Sequence, residues 1–379
     1  MINMGRVIGV GLIGHGFMGR AHSLAWRNIT LFTDSPLTPV LKAVAGRRED
    51  AVREFAVRFG FERYYTDYRL MIKDPGIEVI DNVTPNYMHK EPTIEAIEAG
   101  KHVIVEKPPA LNAEEAYEMY KAAERAGVVN MVAFNYRFVP AIVLAKQLIS
   151  SGRLGRIYHF RAFYLQQSLA NPNAPLTWRL KREYAGFGTL ADLGSHIIDL
   201  ARYLIGEINE VNGVLYTFNR SRLNPATGLS EEVNVDEGFT AMVKFSNGAT
   251  GILEASKLAT GHFNSLIIEV NGSEGSIRFN LERVNELEVY LTSDGELSGF
   301  RRILVTQRTH PFIRFWWPPG HVLGWEHTFT HELYHFLTRL NEGRGVGPEA
   351  ADFKDGWRVM SIIEAIAKSS REGDWVNVP

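Results

Sequence analysis

Apolar and polar positions follow one rhythm in the first third of the chain and another in the rest. From residue 6 to about residue 135, short apolar runs alternate with longer stretches in which apolar side chains return every three or four positions. The short runs are RVIGVGLIG (6–14), VLKAVAG (40–46), VIDNVT (79–84), HVIVEK (102–107) and VNMVAF (129–134), and they have the length and composition of buried strands. Between them EDAVREFAVRFG (49–60), PTIEAIEAG (92–100) and NAEEAYEMYKAAERAG (112–127) carry helical spacing and close on Gly60, Gly100 and Gly127, where C-terminal caps belong. This alternation predicts an α/β fold whose N-terminal part is a doubly wound parallel sheet.

After a helical stretch near 139–151 the rhythm becomes that of β-rich runs: IYHFRAFYLQ, EGFTAMVKFSNGATGILEAS, NSLIIEVNGSEGSIRFN and ELEVYLTS. Asn247-Gly248, Asn271-Gly272 and Asp294-Gly295 read as hairpin turns, so a mainly antiparallel sheet is expected, able to cover a site built by the first domain. Helical patterns return at 188–205, 326–341 and 354–370. The expected division is a dinucleotide-binding domain over 1–135 and a substrate and oligomerisation domain over 136–379.

Length and charge narrow the function. A chain of 379 residues can bury two cores. Its 41 Lys and Arg against 43 Asp and Glu give a net charge of -2, which points away from nucleic acid and anionic membrane surfaces and toward a neutral small-molecule substrate. With no cysteine there is no disulfide and no thiolate nucleophile. The first apolar run is too short and too rich in glycine for a membrane span, and a cytoplasmic location is expected.

The first candidate site is GLIGHGFMGRAH, in which Gly14, Gly16 and Gly19 form G-x-G-x-x-G directly after a strand and at the mouth of a helix. Gly14 permits the tight turn, Gly16 lets a pyrophosphate approach the backbone, and Gly19 lets helix and strand pack closely. The helix N-terminus adds amides and dipole for the phosphates. At the end of the second strand, where an acidic residue would take the ribose of NAD, the sequence reads AGRRED. Gly46 stands in the expected place of the acid, and Arg47 and Arg48 offer guanidinium groups to a 2′-phosphate, which points toward NADP over NAD; Glu49 and Asp50 keep the ribose alternative open.

The second candidate site begins with EKPP (106–109) at the end of a predicted strand, where parallel strands face their ligand crevice. Beside a cationic nicotinamide ring, burial and like charge would disfavour the ammonium form of Lys107 and suit it to proton transfer. In LADLGSHIIDLARYL, Asp192 and His196 lie four apart, hence on one face of the predicted helix, with Asp199 three further on. THELYHFL (330–337) also matches the H-E-x-x-H pattern of zinc hydrolases through His331, Glu332 and His335. No third ligand follows at a recognisable offset, and Phe329, Leu333, Phe336, Leu337 and Leu340 give the segment the spacing of a core helix, so no metal is expected. Three functions compete on this evidence: a nicotinamide-dependent dehydrogenase, a dinucleotide-holding sensor without turnover, and a zinc hydrolase.

GHGFMGRAH, TPNYMH (84–89), AGKHVIVEKP (99–108), NYRF (135–138) and DLGSHIIDLARYLIG (192–206) occur in an order and at separations that resemble the Gfo/Idh/MocA family, the glucose-fructose oxidoreductase and inositol dehydrogenase group. The resemblance implies a Rossmann domain, a second α+β domain with a large open-faced antiparallel sheet through which copies pair into a homo-oligomer, and hydride exchange between NAD or NADP and a carbon of a sugar or polyol. It implies Lys107, Asp192 and His196 as the catalytic set. For the cofactor it implies Phe17, Met18, Thr84, Pro85, Asn86, His89 and Glu106 beside the glycines and Lys107. NYRF, YLQ (164–166) and PLTWR (175–179) are similar to sugar-acting members and make Tyr136, Arg137, Gln166 and Trp178 candidates for the substrate pocket.

Overall fold

The alternation of the first third becomes six parallel strands. A computed structural model describes residues 6–379. In chain order its first elements are β1 (Arg6–Ile13), α1 (Phe17–Phe32), β2 (Leu37–Ala45), α2 (Glu49–Phe59), β3 (Arg63–Tyr65), α3 (Tyr68–Ile72), β4 (Val79–Asn82), α4 (Lys90–Glu98), β5 (His102–Val105), α5 (Ala113–Ala126) and β6 (Asn130–Val132). The strands pair in the order β3-β2-β1-β4-β5-β6, with the reversal between β1 and β4 that opens a ligand crevice in doubly wound sheets. Gly60 and Gly127 cap α2 and α5 in left-handed geometry, as their positions predict. The three-residue β3 and five-residue α3 are too short to leave a periodic trace and went unpredicted.

The second rhythm becomes a nine-stranded sheet. Its elements begin with α6 (Pro140–Ser150), β7 (Ile157–Leu165), α7 (Arg182–Ala185), α8 (Thr189–Asp192) and α9 (Gly194–Leu204). They continue with β8 (Ile208–Tyr216), β9 (Ser221–Leu223), β10 (Ser230–Glu232), β11 (Gly238–Phe245), β12 (Thr250–Ser256), β13 (Ser265–Gly272), β14 (Gly275–Asn280), β15 (Glu286–Leu291) and β16 (Arg301–Leu304). The chain closes with α10 (His327–Asn341), α11 (Phe353–Glu372) and β17 (Val376–Asn377). Strand order is β16-β15-β14-β13-β7-β12-β11-β8-β17; every pair is antiparallel except β7 with β12. Ala241, Leu253, Ala162 and Ile268 stand in register on one buried face, against which α8 and α9 lie. The opposite face leaves Val214 and Met242 62% and 48% exposed.

The Asn247-Gly248 pair turns the chain between β11 and β12 as expected. Asn271-Gly272 does not form a turn, because both residues still pair within β13 and the reversal falls on Ser273 and Glu274. Gly272 is needed there for space: a Cβ would lie 2.1 Å from the Leu154 carbonyl oxygen.

By contacts the chain forms two units, one of residues up to Phe138 together with Gly324–Trp357, the other of Val139–Leu323 with Arg358–Pro379. In the first, α10 packs on α1, and Ala351 bridges to Val132 at the sheet edge. Among the described residues no helix is long and apolar enough to cross a membrane.

Candidate active site

In the first unit the three glycines differ in what surrounds them. Gly14 has a φ of 106°, and a Cβ there would meet the Val83 carbonyl at 3.0 Å, so turn geometry and space both require glycine. A Cβ on Gly19 would lie 2.7 Å from the Gly14 carbonyl, the close helix-strand approach expected of the third glycine. At Gly16 a Cβ would meet nothing within 4 Å. The space over Gly16 is therefore open, at the N-cap of a sixteen-residue helix with no acidic residue in its first turn and no side-chain cap. Open space at a helix N-terminus is compatible with an anion such as a pyrophosphate. Phe17, exposed beside it, stacks on Trp325 with centroids 5.5 Å apart, and Met18 is half-buried.

At the end of β2, Arg47 and Arg48 are exposed while the neighbouring acids are engaged: Glu49 accepts from the Tyr64 hydroxyl at 3.2 Å and Asp50 pairs with Arg53 at 2.9 Å. A side chain on Gly46 would meet the His15 ring 2.3 Å away, so no larger residue fits there without displacing it. Burial and Arg48 together lower the pKa of His15.

Beyond β4, the Asn82 side chain shapes the loop that carries Thr84, Pro85 and Asn86. Its oxygen accepts from the Thr84 hydroxyl at 2.7 Å and its amide donates to the Met88 carbonyl at 3.0 Å. Those three residues are half-buried. His89 is buried, with one ring nitrogen 2.8 Å from the Thr84 carbonyl and the other 2.7 Å from that of Pro108. Burial lowers its pKa, and the ring ties this loop to the E-K-P segment. Lys107 follows β5, half-buried, and its peptide bond to Pro108 is cis. Its backbone N–H donates to Glu106 Oε2 at 2.9 Å.

In the second unit the predicted helix 188–205 divides into α8 and α9 at Leu193, which puts Asp192 at the end of one and His196 in the first turn of the other. The buried carboxylate of Asp236 accepts from the backbone N–H groups of Gly188 and Leu190 at 2.9 and 2.7 Å and so caps α8 from the distant loop before β11. Asp192 pairs with Lys257 at 2.6 Å, and the lysine is only 6% exposed. The His196 ring lies 6.0 Å from that of Tyr164. The Tyr164 hydroxyl and the Gln166 amide both donate to Asn264 Oδ1 at 2.8 Å. Trp178 is half-buried beneath the Arg179 guanidinium, 4.5 Å from its ring centroid. The ends of β7 and β12 and the start of β13 thus gather Tyr164, Gln166, Lys257 and Asn264 beside Asp192 and His196. Lys257 and Asn264 belong to no sequence motif and were missed; Tyr164 lies in YLQ, of which only Gln166 was singled out.

Tyr136 and Arg137 lie in the first unit and are 4% and 3% exposed. Arg137 is 3.5 Å from Asp355 and donates to the Pro348 carbonyl, so its charge serves packing within that unit. His331 and Glu332 are wholly buried in α10. His331 Nδ1 is 3.0 Å from the Phe138 carbonyl and His335 Nε2 is 2.7 Å from that of Val346. Burial brings the His331 pKa down to about 3, and among the described residues no group of three or more His, Asp or Glu is placed to hold a metal ion.

Two family models match: residues 8–134 correspond to the oxidoreductase family with NAD-binding Rossmann fold and residues 142–278 to the GFO/IDH/MocA C-terminal domain. Levoglucosan dehydrogenase of Pseudarthrobacter phenanthrenivorans is 43% identical over 98% of this chain and 98% of its own. The scyllo-inositol 2-dehydrogenase (NAD(+)) of Bacillus subtilis is 34% identical over 70% of this chain and 72% of its own. Among solved structures, levoglucosan dehydrogenase in complex with NADH and L-sorbose superposes with a TM-score of 0.95 at 44% identity, covering 99% of each chain. On this evidence the chain belongs to the Gfo/Idh/MocA family and is an NAD-binding oxidoreductase of the dehydrogenase type.

Proposed function

We propose that this dehydrogenase oxidises a hydroxyl-bearing carbon of an anhydrosugar of the levoglucosan kind, with sugars and inositols as poorer substrates. The observation that carries the reading is near-full-length likeness to levoglucosan dehydrogenase, against a shorter and weaker match to the inositol enzyme. The strand-end group of Tyr164, Gln166, Asn264 and His196 supports it, since a phenol, two amides and an imidazole suit an uncharged polyhydroxyl ligand.

When bound, the nicotinamide accepts the hydride. The substrate hydroxyl must then lose its proton, and Lys107 accepts it with His196 sharing the proton. Asp192, anchored by Lys257, orients the substrate carbon or the imidazole. The glycine loop, with Phe17, Met18, Thr84, Pro85, Asn86, His89 and Glu106, is assigned to the cofactor. Gln166 and Trp178 are assigned to the substrate; Tyr136 and Arg137 are 4% and 3% exposed, and Arg137 is engaged within the first unit. A sensor without turnover would need none of the Lys107, Asp192 and His196 set.

Exposed Arg47 and Arg48 support acceptance of NADP beside NAD. The exposed apolar positions on the open sheet face support a homo-oligomer formed through that face, and the family's chemistry fits a cytoplasmic location. The test is a screen of levoglucosan, aldoses and inositols with both cofactors, following absorbance of the reduced nicotinamide; inositols preferred over levoglucosan would overturn the substrate assignment. In the Arg47→Ala, Arg48→Ala double variant, affinity for NADP should fall about tenfold to a hundredfold while that for NAD holds. Equal losses for both would remove the cofactor assignment.

A further inference from the structure

The first unit buries a row of three ionisable side chains, two of which, His22 and Asp81, have no part in the proposed reaction. His22, on α1, is 0% exposed; Asp81 on β4 is 0% and Glu106, after β5, 4% exposed. His22 Nδ1 lies 2.9 and 3.1 Å from the two oxygens of Asp81, and Nε2 lies 3.0 Å from Glu106 Oε1. The Trp26 indole donates to Asp81 Oδ2 at 2.8 Å and fixes the far end of the row. Burial alone would lower the His22 pKa, but the charges and hydrogen bonds of Asp81 and Glu106 raise it well above the ordinary imidazole value, which favours the protonated ring.

Such a trio is poorly explained by stability. Desolvating the charges consumes most of their attraction, and a well-packed apolar trio of the same volume is often as stable or more so. What the trio does have is an outlet: the second oxygen of Glu106 accepts the main-chain N–H of Lys107 at 2.9 Å. On the other flank, His89 holds the carbonyl of Pro108 at 2.7 Å. The root of the Lys107 side chain is therefore pinned from both sides. The amine of an extended lysine lies about 6 Å from its Cα, so a tilt of about 10° at the root moves it by about 1 Å, enough to cost about a hundredfold in rate.

We propose that His22, held between Asp81 and Glu106, is a positioning residue for the amine of Lys107. The inference rests on the assignment of Lys107 to proton transfer. His22 acts through Glu106 and touches neither substrate nor cofactor.

The test is a double-mutant cycle on the full chain with levoglucosan, comparing parent, His22→Leu, Lys107→Met and the double variant. Two quantities are read for each: the dissociation constant and stoichiometry of NADH, and kcat per NADH-binding site. His22→Leu should keep one NADH site per chain with affinity within about threefold, and lose about tenfold or more in kcat. In the Lys107→Met background the same substitution should change kcat less than about twofold, because the group it positions is gone. Should His22→Leu not fold, Asp81→Asn keeps shape while removing one charge, and its loss of about threefold or more should be absorbed in the same way. The inference is overturned if kcat per site stays near parental, or if the loss is equally large in both backgrounds, as for general damage to the fold. Near-parental kcat in Lys107→Met alone would instead overturn the assignment of Lys107.

Discussion

Replacing Gly16 with valine separates binding from folding in a way the structure allows to be worked out. No protein atom lies within 4 Å of the added Cβ, and the N-cap of α1 uses no side-chain hydrogen bond that the change could break. The cost to stability is thus limited to the backbone and N-cap preference of valine over glycine, about 1 kcal/mol or less, and the melting temperature should move by about 3 °C at most. Binding should suffer far more. The three added carbons occupy the place over the helix N-terminus assigned to the pyrophosphate, and two charge-assisted hydrogen bonds at about 1.5–3 kcal/mol each amount to roughly a hundredfold to ten-thousandfold in affinity. Gly19→Ala gives the opposite pattern. Its Cβ would sit 2.7 Å from the Gly14 carbonyl, and forcing α1 away from β1 should cost about 1–3 kcal/mol of stability. NADH titration by fluorescence and thermal unfolding, run on both variants, decide the matter. A Gly16→Val protein that melts normally and binds NADH within threefold of the parent would show that the cradle is wrongly assigned.

Lys257→Met should lower kcat/KM tenfold or more by releasing Asp192, and destabilise by about 1–2 kcal/mol, a buried-pair cost discounted for the partial exposure of Asp192; unchanged steady-state kinetics would refute this role. The buried neutral ring of His331 makes stability pH-dependent. Its folded pKa of about 3 lies below the unfolded value of 6.5, so the unfolded chain takes up a proton that the folded chain refuses. The stabilisation is full above pH 6.5 and falls by about 1.4 kcal/mol per unit as pH drops toward 3. Denaturant unfolding at pH 7, 6 and 5 should show a slope smaller by one proton in His331→Gln, and identical slopes would refute the assignment.

Local signals were legible in the sequence and long-range ones were not. The glycine loop, five of the six strands of the parallel sheet and the caps at Gly60 and Gly127 are each written within a few neighbouring residues, in patterns that backbone geometry dictates. The Asp192 and His196 pair was visible as spacing, but its break into two helices was not, because the cap that starts α8 comes from Asp236 on a remote stretch. Lys257 and Asn264 were invisible for a related reason. Each is unremarkable beside its own strand and acquires meaning only through the register that sets the ends of β7, β12 and β13 side by side. In the aromatic stretch before α10, Trp325 packs on Phe17, a contact no local pattern could announce, while Trp317 stays 47% exposed. The H-E-x-x-H match shows the converse, a short pattern whose histidines are satisfied by main-chain carbonyls.

The segment Gly324–Trp357 that completes the first unit has a consequence for how the chain is made. Between Phe138 and this segment lie the 185 residues of Val139–Leu323. At ordinary rates of synthesis that interval lasts about 10–40 s, during which the six-stranded sheet and α1 have left the ribosome without α10. For that time the side of α1 later covered by Trp325 and Phe329 is bare to solvent, and the ring of His22 lacks the Phe329 ring that finally packs 5.3 Å from it. A nascent chain paused before residue 324 therefore presents a sticky helix that chaperones can recognise, and Phe17 gains its ring partner only when about the last seventh of the polypeptide arrives.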